Sequence, residues 1–214
     1  MQYFYNEENS KIVKYIISKI HENAALLSEI DGETGDGDHG VNMNKGFMMA
    51  DDRINDKDCF TEALKILGRT LINDIGGSMG PIYGTFFSKI NRALKTEEKI
   101  DASSFLKAIS DAKQGIMDLA GAKIGDKTLV DTISPAYEEY KISFDEGKNF
   151  ESCLESLKLG AEKGKESTRD MVAKIGRAAR LGERSKGHLD AGATSCCIIL
   201  TAMADKIIEN LKED

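Results

Sequence analysis

A chain of 214 residues, 41% hydrophobic and 30% charged, has the composition of an ordinary soluble protein and the length of one domain with its own core. The net charge of -7, with no basic stripe or aromatic platform, argues against nucleic acid as a partner. The opening MQYFYNEENSKIVKYII lacks a basic stretch followed by an apolar run, so no signal peptide is expected. No stretch approaches about 18 apolar residues, so no membrane span is expected. Cys59, Cys153, Cys196 and Cys197 are scattered and lack metal-site spacing, which fits reduced, buried thiols and a cytoplasmic setting.

Taken in chain order, the periodicity is helical almost throughout, and eight helices with no strands are expected. Residues 8–28 carry Ile12, Val13, Ile16, Ile17 and Ile20 on one stripe. An acidic loop over 31–40 leads to a helix over 40–54 with Val41, Phe47, Met48 and Ile54, then one over 59–73 with Leu64, Leu67 and Leu71. The turn Gly76-Gly77-Ser78-Met79-Gly80-Pro81 opens a helix over 81–95, Pro81 suiting its first turn. Residues 102–119 repeat Phe105, Ala108, Ile109, Ala112, Ile116 and Leu119 at helical spacing, with Ser103 or Ser104 as cap. The loop 121–126 precedes helices over 127–144 and 149–172. A glycine-rich, charged segment over 175–192 precedes a last helix over 192–211. Short connections imply antiparallel neighbours, so the fold class is all-α, an eight-helix antiparallel up-and-down bundle or barrel spanning residues 1–214 as one domain. The unusual loops 31–40, 76–80, 121–126 and 176–192 are alternate connections, which such an arrangement collects at one end.

The stretch Asp31-Gly32-Glu33-Thr34-Gly35-Asp36-Gly37-Asp38-His39-Gly40 cannot be core, because its carboxylates would be buried without partners. Its glycines suit tight bending or a close approach to a ligand. Asp36 and Asp38 flank one glycine and can face the same side, and Asp31 can fold back onto them. Three converging carboxylates make a hard-oxygen site suited to Mg2+; the bland alternative is an acidic surface loop. An EF-hand fails, because a loop started at Asp36 puts Val41 where glycine is needed and Phe47 where the bidentate Glu belongs. Magnesium held by few carboxylates completes its octahedron with water and phosphate oxygens, so a phosphate-bearing ligand is expected.

No GxxxxGK[ST] loop is present, nor a GxGxxG after a strand, so the phosphates must be held otherwise. Gly77-Ser78-Met79-Gly80 at a helix start offers free backbone N–H groups to an anion, or serves only as a cap. His39 and Asn42 stand just beyond the aspartates, able to touch a ligand or to cap the next helix. Arg177 and Arg184 could neutralise phosphate, although ordinary ion pairing would equally explain either. Asp190-Ala191-Gly192 reads as a helix cap. With three histidines and no nucleophile elbow, a hydrolase triad is not supported.

Four motifs in order, Gly35-Asp36-Gly37-Asp38-His39-Gly40-Val41-Asn42-Met43, Gly76-Gly77-Ser78-Met79-Gly80-Pro81-Ile82-Tyr83-Gly84, Gly125-Asp126-Lys127-Thr128-Leu129-Val130-Asp131 and Gly182-Glu183-Arg184-Ser185, resemble the L subunit family of dihydroxyacetone kinases. The resemblance covers nearly the whole chain. It implies an eight-helix barrel with ADP or ATP and two Mg2+ ions at one end. Asp31, Asp36 and Asp38 would hold the metals and carry catalysis. His39, Gly40, Val41, Asn42, Gly77, Ser78, Gly121, Leu129, Arg177, Asp190, Ala191 and Gly192 would contact nucleotide. The sequence departs from the family at Met79, where a small residue is usual, and at Ala191, where Pro is usual.

The resemblance further implies a phosphoryl-donor subunit that docks onto a separate K subunit binding dihydroxyacetone, with a phosphohistidine-carrying M subunit of the phosphotransferase system recharging the bound ADP. No nucleic acid or membrane partner is expected. The alternatives are a nucleotide-binding regulatory partner and the L subunit of an ATP-dependent kinase for a related ketose.

Overall fold

The first apolar stripe folds as α1 (Ser10–Glu22), with Ile12, Val13, Ile16, Ile17 and Ile20 all buried. The computed structural model describes residues 1–213. The helix stops at Asn23, whose side-chain amide donates to the Lys19 carbonyl at 2.8 Å. A separate α2 (Ala24–Thr34) starts at the next residue, so the helix expected over 8–28 is two, and Asp31 lies in the last turn of α2 rather than in a loop. There follow α3 (His39–Asp51), α4 (Phe60–Asp74), α5 (Met79–Leu94), α6 (Ala102–Ala120), α7 (Val130–Asp145), α8 (Phe150–Ser167) and α9 (Ala191–Ile208). Two 3-10 stretches, Thr168–Asp170 and Ala178–Ser185, lie between α8 and α9.

Caps account for several starts. Asp101, rather than Ser103 or Ser104, caps α6: it accepts the Ser104 N–H while the Ser104 hydroxyl accepts the Asp101 N–H, a reciprocal capping box. Asn149 accepts the Ser152 N–H at α8, and Asp190 accepts the Ala193 N–H at α9. The start expected at 127 for α7 is delayed to Val130 because Lys127 takes a left-handed backbone with φ of 63°.

Eight of the helices close a ring in the order α1, α3, α4, α5, α6, α7, α8, α9 and back to α1. Neighbours run antiparallel: Gly68 of α4 faces Gly84 and Ser88 of α5 whereas Gly80 faces Leu71 and Ile75, and Gly160 and Gly164 of α8 face Pro135 and Asp131 of α7. The ninth helix, α2, packs on α3 and α9 at one end. The other end carries strands that the sequence reading did not expect. Among the described residues β1 (Gln2–Tyr5) pairs antiparallel with β2 (Lys99–Asp101) and β3 (Lys212–Glu213), Tyr3 opposite Asp101 and Lys212. Phe4 projects from β1 into a cluster with Phe60, Phe105, Tyr140 and Phe150, closing the barrel there. The core runs through all the ring helices. The apolar α9 is long enough to cross a membrane by length and composition, contrary to the expectation that no stretch would be. Its apolarity has another cause here: 67% of it is buried between α1, α7 and α8.

Candidate functional site at the open end of the ring

The end opposite the sheet is formed by the starts of α3, α5, α7 and α9 and by the loops that lead into them. Helix N-termini present unpaired N–H groups and partial positive charge. The acidic residues sit among them. Asp31, Asp36 and Asp38 converge, each offering a carboxylate oxygen, and these oxygens lie within 4.8 Å of one another. Local backbone geometry produces the convergence. Gly37, at φ of 75°, turns the chain back, and Asp31 Oδ2 accepts the Asp38 N–H at 3.0 Å and the His39 N–H at 3.4 Å. A β-carbon on Gly35 would stand 2.5 Å from Asp31 Oδ1, so glycine is needed for the loop to fold onto α2. The donor set fits a hard divalent cation: all oxygens, anionic and on the protein surface, with room for water or phosphate ligands.

The other expected residues surround this cluster. His39 opens α3, half-buried, its Nε2 2.9 Å from Ser195 Oγ. Burial lowers its pKa, favouring the neutral ring, and the Asp31 carboxylate partly opposes that. Ser195 Oγ also lies 2.5 Å from the Tyr83 hydroxyl, which donates to the Gly192 carbonyl at 3.0 Å. Burial holds the Tyr83 phenol well above its usual pKa, so it stays a donor. The sequence analysis gave Tyr83 no role beyond its place in a motif and did not name Ser195. Their signal was slight, a hydroxyl in each of two otherwise apolar helix faces. Together they tie the starts of α3, α5 and α9.

Val41 is exposed, Asn42 half-buried, and Gly77 and Ser78 exposed at the start of α5, with φ of 74° at Gly77. Gly121 ends α6 in a left-handed conformation with open space where a side chain would be. Leu129 and Ala191 are buried, and the Leu129 N–H flanks Gly192. Gly40 is buried against α2: a β-carbon there would overlap the Ala24 carbonyl oxygen and stand 2.6 Å from Ser28 Oγ. Asp190 is half-buried and its pKa is pushed up to about 6 by burial, against the Ala193 N–H and Lys127, which lower it.

Arg177 reaches across the rim to Asp36 in an ion pair, and His188 Nδ1 lies 3.0 Å from Glu33. The segment between α8 and α9 therefore leans over the acidic loop, as the gathering of alternate loops had led one to expect. Two concavities, about 340 and 500 Å3, lie elsewhere, along α1, α8 and α9 and along α4 and α5, and neither includes the aspartates. The aspartate site is a rim rather than an enclosed cavity.

The DAK2 domain profile matches residues 33–205, which include Asp36, Asp38 and most of the rim. Over 181 residues the chain is 36% identical to the ADP-binding subunit DhaL of the PEP-dependent dihydroxyacetone kinase of Escherichia coli K12, covering 83% of this chain and 86% of that one. It is 31% identical over 186 residues to the L-erythrulose kinase of Pectobacterium atrosepticum, covering 85% of this chain but 32% of the longer enzyme. The fold matches that of the dihydroxyacetone kinase of C. freundii, solved with AMP-PNP and Mg2+, with a TM-score of 0.65 at 20% identity over 92% of this chain and 33% of that one. With the profile spanning most of its length and the E. coli relative matched nearly end to end, the chain belongs to the DAK2 domain family.

Proposed function

We propose that this chain is the phosphoryl-donor subunit of a multi-subunit dihydroxyacetone kinase, a single nucleotide-binding domain that holds Mg-ADP or Mg-ATP on the rim around Asp31, Asp36 and Asp38. The observation that carries the reading is the meeting of those three carboxylates among the helix N-termini. Two magnesium ions held there would neutralise phosphate charge and orient the transferred group. The exposed backbone N–H groups at Gly77 and Ser78 bind phosphate oxygens. His39, Asn42, Gly121, Leu129 and Gly192 border the nucleotide, with Gly40, packed on α2, holding the start of α3 beside it. Arg177, freed from Asp36, pairs with phosphate in a geometry its planar guanidinium suits. Phosphoryl transfer needs positioning and charge neutralisation more than covalent chemistry, and these residues provide both.

The acceptor is dihydroxyacetone bound on a separate K subunit, and a phosphohistidine-carrying M subunit of the phosphotransferase system recharges the ADP in place. Likeness to a relative named as an ADP-binding, PEP-dependent subunit, over most of both chains, supports this arrangement. The four free thiols suit a reducing, cytoplasmic setting. Likeness to an erythrulose kinase favours a second reading of the acceptor, a related ketose. Phosphate transfer with purified K subunit and phosphorylated M subunit tests the proposal. Dihydroxyacetone phosphate should form only when all three proteins are present, and formation by this chain and Mg-ATP alone would contradict it.

A further inference from the structure

Lys127 is the least expected residue near the rim. Its side chain is 1% exposed, and its ammonium meets no carboxylate within hydrogen-bonding distance among the described residues. Nζ donates instead to four backbone carbonyls: His188 at 2.6 Å, Ser185 at 2.7 Å, Thr168 at 2.8 Å and Met171 at 3.2 Å. An ammonium has three N–H donors, so one is shared, and the charge rather than directed bonding organises the four oxygens. A cage of backbone carbonyls is the ligand chemistry that replaces the hydration shell of a potassium ion. Burial lowers the Lys127 pKa, and the nearby Asp190 and Asp170 carboxylates oppose that.

All four carbonyls belong to the segment between α8 and α9, two at its beginning and two near its end. Other ties run alongside: Asp190 N–H donates to Thr168 Oγ1 at 3.1 Å, Arg169 reaches the Gly187 carbonyl at 3.4 Å, and Arg177 and His188 pair with Asp36 and Glu33, but none of them gathers four carbonyls at one point. The segment braces itself through Gly187 N–H to the Arg169 carbonyl at 2.8 Å and Ser185 Oγ to the Ala173 N–H and the Gly182 carbonyl, and it reaches the α7 loop through Lys174 N–H to the Asp126 carbonyl. Arg177 sits at its middle and Asp190 at its exit. The backbone of Lys127 is left-handed, which disfavours any residue with a β-carbon, so the chain departs from ordinary geometry where it delivers this cation.

We propose that Lys127 is a positioning residue, a covalently tethered monovalent cation around which residues 168–188 close, and that it thereby sets where Arg177 and Asp190 stand on the rim. The consequence for nucleotide rests on the function proposed above, whereas the closing of the segment does not.

The test uses Lys127→Ala and Lys127→Met in buffers whose sole monovalent cation is either N-methylglucamine, too bulky for the cage, or ammonium. Hydrogen exchange should show protection lost in residues 168–190 of both variants in N-methylglucamine, with α4, α5 and α6 unchanged. Mg-ADP affinity should fall about tenfold, as for lost support one step removed from a bound metal. Ammonium should restore protection and affinity in Lys127→Ala, where the cage is open, but not in Lys127→Met, where the side chain fills the approach. Wild-type protection in Lys127→Met without ammonium would overturn the proposal, as would exchange loss spread through the core or a Lys127→Ala chain that ammonium does not help. If wild-type protein binds no Mg-ADP, the nucleotide reading fails, while the exchange and rescue results still decide the role of Lys127.

Discussion

Asp36 and Asp38 are exposed, so their energetic meaning lies in what they attract rather than in what they hold together. Replacing either with Asn removes an anionic ligand and relieves repulsion among clustered carboxylates, while Asp36 also gives up an exposed pair with Arg177. Exposed pairs contribute under about 1 kcal/mol, so Asp36→Asn and Asp38→Asn should leave the melting temperature of the metal-free protein close to wild type. They should abolish the rise in melting temperature that Mg-ADP produces over Mg2+ alone; a retained rise would remove both from the site. Asp190 behaves differently because it is partly buried, its pKa moved from 3.8 to about 6. Its folded state holds the proton more tightly than the unfolded state. Stability therefore falls as pH rises between those values and stays reduced above them. Asn keeps the helix cap without the charge, so Asp190→Asn should stabilise the ligand-free protein at pH 7 by on the order of 1–3 kcal/mol. The gain should vanish below about pH 4, the unperturbed range of the group. Urea unfolding of both proteins across that range checks the sign. The convergence of Asp31, Asp36 and Asp38 was legible in the sequence because three carboxylates among glycines have few structural uses. Lys127, Tyr83 and Ser195 were not, because a lysine, a tyrosine and a serine announce burial and partners only once distant segments meet.

The elements decide how rigidly that rim is held. The approach of α2 to the start of α3 depends on Gly40, where a β-carbon would run into the Ala24 carbonyl. Gly40→Ala should cost roughly 1–3 kcal/mol through overpacking and, by parting α2, which carries Asp31, from the start of α3, just after Asp38, weaken Mg-ADP binding. A positive-φ glycine facing open space serves as the control. It is placed at Gly147, between α7 and α8 and away from the rim, because Gly121 borders the proposed nucleotide: Gly147→Ala meets open space at φ of 74° and should cost on the order of 1 kcal/mol from backbone strain alone, whether ligand is present or not. Denaturant melts with and without Mg-ADP separate the two. The ring helices were readable because their apolar residues recur at helical spacing over 13 to 19 residues. The break at Asn23 was not, since His21-Glu22-Asn23-Ala24 contains neither Gly nor Pro and a helix can run through all four. The strands escaped because they are 4, 3 and 2 residues long, too short for alternation to register, and β1 pairs with partners near residue 100 and at the far end of the chain.

At the scale of the molecule, the ring has a plugged end and an open end. Aromatic packing under the small sheet closes one, and helix N-termini, aspartates and the segment held by Lys127 crown the other. On the proposed function, a nucleotide on such a rim would direct its terminal phosphate outward, and the same end would be the docking face for an acceptor-binding partner. Arg180 and Lys186 are exposed there. Arg180→Glu or Lys186→Glu should slow phosphate transfer to that partner, more strongly at low salt, with Mg-ADP affinity unchanged, because rim charges act mainly on association rate. Stopped-flow transfer at two ionic strengths reads this directly. The central claim, that the three aspartates hold nucleotide through metal, is tested most directly by calorimetric titration of ADP into nucleotide-stripped protein, with Mg2+ and again with excess EDTA. The account predicts saturable binding at one site with Mg2+ and its loss with EDTA; equal affinity in both, or no binding in either, would contradict it.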